Sequence, residues 1–445
     1  MMTYLDTEDN IVALSTALGV GSVDIIKIGG PDLAGLYKSI TKTSPKQNTI
    51  KKEYIYSLLD GEIVDICMVS FFKGPRSFTG QDIVEINCHG GGYISSNIIR
   101  FICESGAARM ALPGEFLFRA YVNNKVDLVQ AEAINDIILS ESLVQKNKSL
   151  ENVDGKLSGQ IKLIKNKIVN LLMVLEHELD FDESEILHFN ESEIIKIIKD
   201  IRKEIERVVG CFFFSKTVRS GIRVLLLGKP NVGKSSIYNE LLGVNRSIVS
   251  SAPGTTRDTI ESVLEIGGHR VVLIDSAGSW ESVNKIEKMG IERTKKEIKK
   301  SHIILLVGEH IKDIKPFYPA VKGKDFIEIH SKSDIHNIKG KGLRVSTVTS
   351  SGFRELSTRI LTIINDYYNN NKANNLFLIN DRQRNVLDDC LKQIYNIEKG
   401  LAQNIGRDIL ADLIRLLLDE FNNIINPVDR DDILNTIFSG FCVGK

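Results

Sequence analysis

The sequence predicts a multidomain α/β protein in which a nucleotide-binding domain is inserted into a helical domain. Residues 1–118 alternate short strand-like and helix-like runs, as an N-terminal α+β domain does. Helical periodicity occupies residues 119–217 and returns in residues 369–445. Between them, residues 218–368 open with an apolar strand, a glycine-containing loop and a helix. We therefore expect an α-helical bundle in two parts, interrupted by a domain with a parallel or mixed sheet.

Composition indicates an ordinary reduced globular protein. The chain has 445 residues, of which 42% are apolar and 26% charged, and its formal net charge is zero. RNA binding would therefore need a local basic patch or a partner. The six cysteines form no C-x-x-C pair, and no apolar run reaches the length of a membrane span. We expect a cytoplasmic location without membrane association.

The region from Arg223 to Leu242 has the strand, loop and helix order of a phosphate-binding loop. Gly228 and Gly233 let the backbone turn its N–H groups toward phosphate oxygens. Lys234 should reach the β- and γ-phosphates, and the Ser235 hydroxyl should bind Mg²⁺. The pattern thus predicts a nucleoside triphosphate site.

Three later loops favour GTP as the ligand. Thr255 and Thr256 offer hydroxyls that could close over Mg²⁺ and the γ-phosphate, and Asp275 to Gly278 forms a D-x-x-G motif after a buried-type strand. Asp334 lies where GTPases have N-K-x-D and could accept from guanine N1–H and the exocyclic amine. Ser331 replaces the usual Asn, so we expect weaker guanine binding. The four loops resemble those of translation-factor-like GTPases with a Ras-like sheet.

The complete set of predicted GTP-binding residues follows these loops. It comprises Asn231, Val232, Gly233, Lys234, Ser235, Ser236, Ser250, Ser251, Ala252, Pro253, Gly254, Thr255, Thr256, Asp275, Ser276, Ala277, Gly278, Ser331, Lys332 and Asp334. Ser235 and Thr256 are the predicted Mg²⁺ ligands.

Two further patterns have structural interpretations. A three- and four-residue apolar repeat predicts one buried helix face, formed by Leu157, Ile161, Ile164, Ile168, Leu171, Leu172, Leu175 and Leu179. Cys88 and His89 are adjacent but have no second ligand pair nearby, so a turn is favoured over a metal site.

The final residues, Phe441-Cys442-Val443-Gly444-Lys445, make the resemblance specific. A GTPase inserted into a helical domain and followed by this motif resembles the MnmE (TrmE) family of tRNA-modification GTPases. The segments 78–82, 89–91, 113–116 and 127–134 also match the pattern of that family, so the resemblance covers the whole chain.

The resemblance implies a homodimer that works with MnmG, a flavin- and NADH-using partner, as a heterotetramer. Together they would add an aminomethyl or carboxymethylaminomethyl group to C5 of the wobble uridine, position 34, of certain tRNAs. The one-carbon donor would be 5-formyltetrahydrofolate or another one-carbon tetrahydrofolate. Its implied contacts are Lys27, Glu85, Lys125 and Lys445; Lys27 stands where the family often has Arg, which replaces a bidentate fork by a point charge.

The resemblance also implies a K⁺ ion beside the β- and γ-phosphates, with Asn231, Ser250, Ala252 and Thr255 matching its ligands. Hydrolysis stimulated by K⁺ would drive dimerisation of the nucleotide domains. Glu287 matches the residue that orients the attacking water. Cys442 either acts chemically, as a thiolate beside the folate or the uridine intermediate, or only helps the terminal motif to pack.

Two alternatives remain open at this point. The chain could be a GTPase switch in ribosome assembly or stress response, without modification chemistry. It could also be a degenerate and mostly structural homologue, an interpretation suggested by Lys27, Ser331 and the S-T-V sequence at residues 346–348, where S-A-K is usual.

Overall fold

The structure is a computed structural model. It describes residues 7–180, 190–244, 260–275, 287–335, 342–369, 376–426, 437–441 and 444, with the backbone alone for 180, 260 and 287–293. The chain divides into two compact units. The first combines Met1–Asn135, Val153–Asn190 and Gln393–Lys445, and the second combines Asp136–Asn152 and Glu191–Lys392. Within the described ranges, no helix is both long enough and apolar enough to cross a membrane.

The described part of the first unit contains a six-stranded sheet. Its strands are β1 (Ile11–Leu14), β2 (Val23–Gly30), β3 (Thr49–Tyr56), β4 (Ile63–Phe72), β5 (Asp82–His89) and β6 (Arg109–Met110). They lie in the order β3-β4-β5-β2-β1-β6, and only the β1–β6 pair is parallel. Alternate residues, such as Val12, Ile26 and Ile86, form a core with helices α1 (Ala34–Thr41) and α2 (Tyr93–Glu104). The predicted α+β domain is confirmed.

The opposite face of this sheet is covered only in part. Ile11 and Ala13 pack against Phe116 of helix α3 (Glu115–Val122). On the outer strands β3 and β4, large apolar side chains are exposed to solvent: Ile50, Tyr54, Ile66 and Met68. We call these four residues the open sheet face.

Helices make up most of the rest of the first unit and both ends of the second. They are α4 (Leu128–Ile138), α5 (Leu143–Val153), α6 (Lys156–Asp180), α7 (Glu191–Ser220), α12 (Asp381–Ala402) and α13 (Arg407–Asn422). The predicted apolar stripe of α6 is buried from Leu157 to Leu175. The prediction was wrong only for Leu179, which is 47% exposed because α6 ends one residue later.

The second unit contains the nucleotide domain. Its elements are β7 (Ile222–Leu227), α8 (Lys234–Val244), β8 (Ile260–Ile266), β9 (His269–Asp275), α9 (Glu287–Lys300), β10 (Ile303–Gly308), α10 (Ile311–Ile314), β11 (Asp325–His330), β12 (Leu343–Arg344) and α11 (Phe353–Asn369). The strand order is β12-β11-β10-β7-β9-β8, and only β8 runs antiparallel to its neighbour. Because β7 is central, its carboxyl end opens at the sheet edge where ligands bind in such folds. The predicted Ras-like mixed sheet is confirmed.

Candidate GTP and folate sites

The phosphate loop lies between β7 and α8. A side chain at Gly228 would place its Cβ 2.2 Å from the Val307 carbonyl oxygen, so only glycine fits. Gly233 has φ +91°, and Asn231 has φ 64°, in the left-handed region that Asn tolerates better than most residues. These conformations curl the backbone in front of the α8 N-terminus, where anions are favoured.

Lys234 is folded into this loop. Its side chain is 4% exposed, and Nζ donates to the carbonyl oxygens of Gly228 at 3.1 Å and Lys229 at 2.7 Å. Burial lowers the pKa of Lys234, and the nearby Asp275 carboxylate partly opposes that shift. The ammonium is thus held at the loop by two neutral carbonyls, which phosphate oxygens can replace.

Ser235 and Asp275 form the oxygen pair expected of a Mg²⁺ site. The Ser235 hydroxyl donates to Asp275 Oδ2 at 2.9 Å, joining the start of α8 to the end of β9. Mg²⁺ prefers hard oxygen ligands such as a hydroxyl and a carboxylate-held water. These two residues therefore fit the ion.

The base-recognition loop follows β11, and Ser346 fixes its acidic residue. The Ser346 hydroxyl donates to Asp334 Oδ1 at 2.6 Å. That contact orients the carboxylate predicted to accept from guanine. The S-T-V sequence at 346–348, which looked like a departure from S-A-K, thus keeps the serine that makes the contact.

Ser331 and Lys332 connect the base-recognition loop to its surroundings. Ser331 is 3% exposed, and within the described residues its hydroxyl makes one long hydrogen bond, 3.4 Å, to the Gly308 carbonyl. Lys332, with φ 55°, donates to the carbonyl oxygen of Asn231 at 3.4 Å and pairs with Glu309. The phosphate loop and the base loop are therefore linked through Lys332.

Several predicted residues lie outside the described ranges. They are Ser250, Ser251, Ala252, Pro253, Gly254, Thr255, Thr256, Ser276, Ala277, Gly278, Cys442 and Lys445. Glu287 begins α9, but its side chain is not among those described. Val232 is buried, whereas Asn231 and Ser236 are exposed at the loop and at the first turn of α8.

Lys27 and Glu85 meet on the partly covered face of the N-terminal sheet. They lie directly opposite each other on β2 and β5, with Lys27 Nζ 3.9 Å from Glu85 Oε1. The ammonium also lies 5.8 Å from the centre of the Phe78 ring and 5.5 Å from that of Phe116. Sequence reasoning missed these two rings, because strand register and the position of α3 bring them to Lys27.

The described residues on either side of Cys442 pack against the same domain. Phe441 contacts the buried Phe438, with ring centres 5.3 Å apart, and both lie against Gly114. Beyond the cysteine, the Ser15 hydroxyl donates to the Gly444 carbonyl oxygen at 3.2 Å. Ser15 follows β1, in which Ala13 is paired with Lys27. Gly444 is therefore bound to a residue, Ser15, that comes two positions after the strand partner of Lys27.

The other two N-terminal predictions have different outcomes. Lys125 is exposed in the turn after α3, where its backbone N–H donates to the Ala120 carbonyl at 2.8 Å. His89 donates or accepts through Nδ1 at 2.7 Å from Asp65 Oδ1. Within the described residues no group of three or more His, Cys, Asp or Glu side chains could hold a metal. Cys88 and His89 are the last two residues of β5, so the chain bends only after them, from Gly90.

The strand order, the phosphate loop and the aligned Asp334 define the class: a P-loop GTPase of the Ras-like type. Two family models match the chain. The model of the GTP-binding protein TrmE N-terminus matches residues 10–125, and that of the MnmE helical domain matches residues 128–442.

Named relatives match this sequence over nearly its full length. The tRNA modification GTPase MnmE of Flavobacterium johnsoniae is 32% identical over 98% of this chain and 99% of its own. The protein of the same name from Thermosipho melanesiensis is 34% identical over 98% and 100%. The chain belongs to the MnmE family of tRNA-modification GTPases.

Proposed function

We propose that this GTPase acts with MnmG to add an aminomethyl or carboxymethylaminomethyl group to C5 of the wobble uridine, position 34, of certain tRNAs. The observation that carries the proposal is the terminal motif, anchored by the Ser15–Gly444 hydrogen bond beside the strand position opposite Lys27. The proposal is supported because the Gly444 carbonyl, two residues from Cys442 in sequence, belongs to the same domain as the Lys27 ammonium and the Phe78 and Phe116 rings beside it. Family membership supports the same assignment.

In the GTP site, each residue has one role. Lys234 exchanges its two loop carbonyls for β- and γ-phosphate oxygens, and Ser235 and Thr256 hold Mg²⁺ with Asp275 behind. Asn231, Ser250, Ala252 and Thr255 would hold a K⁺ ion, which would supply positive charge beside the transferring oxygens. Glu287 orients the attacking water. The resulting hydrolysis drives association of the nucleotide domains.

In the N-terminal site, the one-carbon donor is 5-formyltetrahydrofolate or a related tetrahydrofolate. Lys27 neutralises a folate carboxylate, Glu85 accepts from pterin N–H groups, and Phe78 and Phe116 offer rings for stacking. Lys125 and Lys445 add positive charge at the rim. Cys442 acts as nucleophile or base, or it positions the motif.

The protein works as a homodimer in the cytoplasm, and two copies join MnmG in a heterotetramer. The open sheet face supports the dimer. Ile50 is paired with Ser70, Ser70 with Glu85, and Glu85 with Lys27, so the folate pair and the exposed Ile50 share one row across one face. Ile50 is 62% exposed and Tyr54 50%, which suits an apolar interface with a second copy.

The folate assignment can be tested by titrating the full chain with 5-formyltetrahydrofolate. Lys27→Met keeps the stem over the Phe rings and removes the charge, so binding should weaken by about tenfold. Lys52→Met, on an exposed position of the edge strand β3, is the matched control and should bind as the wild type does. If the Lys27 and Lys52 variants bind folate with equal affinity, Lys27 is not a folate contact and this part of the proposal is wrong.

A further inference from the structure

A positive surface of the nucleotide domain remains unused by the GTP and folate sites. Residues 294–324 contain eight lysines and three acidic residues, in a chain whose formal net charge is zero. We call the lysines at the end of α9 and in the loop before β11 the lysine cluster: Lys295, Lys296, Lys299, Lys300, Lys322 and Lys324. All but Lys324 are exposed.

One lysine joins the two parts of the cluster. Lys324 Nζ donates to the backbone carbonyls of Lys299 and Ser301, each at 2.9 Å. These contacts satisfy the carboxyl end of α9 and bring the loop of residues 322–324 against it. The loop that carries Lys322 therefore lies against the helix end that carries Lys299 and Lys300.

The acidic residues of the segment have other cationic partners. Glu297 pairs with Arg223 at 2.8 Å, Asp313 with Lys229 at 2.8 Å, and Glu309 with Lys332. Glu297 also meets Lys300 at 3.5 Å, but its shorter contact is with Arg223. Among the described residues, the 3.5 Å contact of Lys300 with Glu297 is thus the one ion pair of the cluster. The pKa of the neighbouring His302 is consistent with a positive environment. It is lowered mainly by burial, and then by the charges of Lys324 and Arg223.

An aromatic ring borders the cluster. Phe326 is 40% exposed, two residues after Lys324, and its ring centre lies 5.9 Å from that of Tyr318. Clustered lysines contact a phosphate backbone, and an exposed ring can stack on an unpaired base. If the partner were an acidic protein instead, it would pair with the lysines but would have no base to stack on Phe326.

We propose that the lysine cluster is a docking surface for the sugar–phosphate backbone of tRNA. This inference rests on the proposed function, because it assigns tRNA contacts to the nucleotide domain of the same protein. The contacts are made away from Lys234, Ser235 and Asp334, so they add affinity without entering the GTP site.

The test measures binding of a fluorescent, unmodified tRNA transcript to the full chain over a series of KCl concentrations. The variant Lys299→Gln/Lys300→Gln/Lys322→Gln should bind about tenfold more weakly at low salt and show a salt slope that is less steep by about two. GTP hydrolysis without tRNA should not change. Lys196→Gln/Lys199→Gln/Lys203→Gln, on the exposed side of α7, removes the same charge and should bind within about twofold of the wild type.

Equal binding by the two triple variants would overturn the proposal, because net charge alone would then explain the affinity. Unchanged binding in the cluster variant would overturn it too and leave an acidic protein as the partner to examine. Failure of the wild type to bind tRNA at all would count against the proposed function itself.

Discussion

Single hydrogen bonds decide how well the base-recognition loop can hold guanine. The Asp334 carboxylate is oriented by one hydroxyl, that of Ser346, at 2.6 Å. The Ser331 hydroxyl, by contrast, has one hydrogen bond among the described residues, the 3.4 Å contact with the Gly308 carbonyl. The two serines therefore have opposite expected effects when they are changed.

Replacing Ser346 by Ala should weaken GTP binding by about tenfold, since a hydrogen bond to a charged group contributes roughly 1.5 kcal/mol. Preference for GTP over ATP should fall with it. Titration with fluorescent nucleotides measures both. Ser351→Ala is the control, because its hydroxyl accepts only from Thr349 among the described contacts, at 3.0 Å. Unchanged GTP affinity of Ser346→Ala would show that Asp334 is oriented in another way.

Replacing Ser331 by Asn should strengthen GTP binding by about fivefold, the roughly 1 kcal/mol of one added hydrogen bond. The Asn side chain is longer than that of Ser and can reach the phosphate loop. The two loops are close here, since a Cβ added at Gly233 would lie 3.8 Å from Ser331 Cβ. Isothermal titration would measure the change. If affinity stays the same, the Lys332 link to Asn231 already does this work.

Among the structural elements, the phosphate loop carries the predicted dependence on K⁺. GTP turnover should be much faster in K⁺ than in Na⁺, because the smaller ion fits the Asn231 shell poorly. Asn231→Gly keeps the left-handed backbone at φ 64° and deletes the amide, so it should abolish the difference. Turnover assays in matched salts measure this effect, and equal wild-type rates in the two salts would refute the K⁺ site.

The start of β7 carries a pH dependence. The Arg223 N–H donates to His302 Nδ1 at 3.0 Å, and burial together with Lys324 and Arg223 lowers the His302 pKa. Below a pH of about 6.5, His302 is protonated in the unfolded chain but stays neutral in the folded one. The contribution of His302 to the free energy of unfolding is therefore present at neutral pH and is lost as the pH falls.

His302→Asn retains an acceptor and does not titrate. Its melting temperature should therefore fall less than that of the wild type between pH 7.5 and 5.5. Thermal unfolding at the two pH values measures this difference. The same fall in both proteins would assign the pH dependence to other groups.

Elements whose chemistry is local were predictable from the sequence, and contacts between distant strands were not. The phosphate loop is specified by consecutive residues between Gly228 and Ser235. The pairing of Lys27 with Glu85, and their approach to Phe116, depend on register across the sheet. In strand β3, Lys51, Lys52 and Glu53 break the apolar pattern, as suits a strand at the sheet edge.

At the scale of the whole molecule, one chain carries a GTPase site in one unit and a candidate one-carbon site in the other. The predicted boundaries, 1–118, 119–217, 218–368 and 369–445, remain predictions. Coupling between the two sites is what would distinguish a modification enzyme from a GTPase switch, because a switch needs no chemistry at Cys442.

The most direct measurement is mass spectrometry of tRNA nucleosides from cells that lack this protein and carry either the wild type or Cys442→Ser. The wild type should restore carboxymethylaminomethyl or aminomethyl uridine. Cys442→Ser keeps the size of the side chain and should not restore it, although its GTP hydrolysis and folate binding stay normal. Normal nucleoside levels with Cys442→Ser would end the catalytic role of the thiol. Normal levels in cells without the protein would contradict the proposed function.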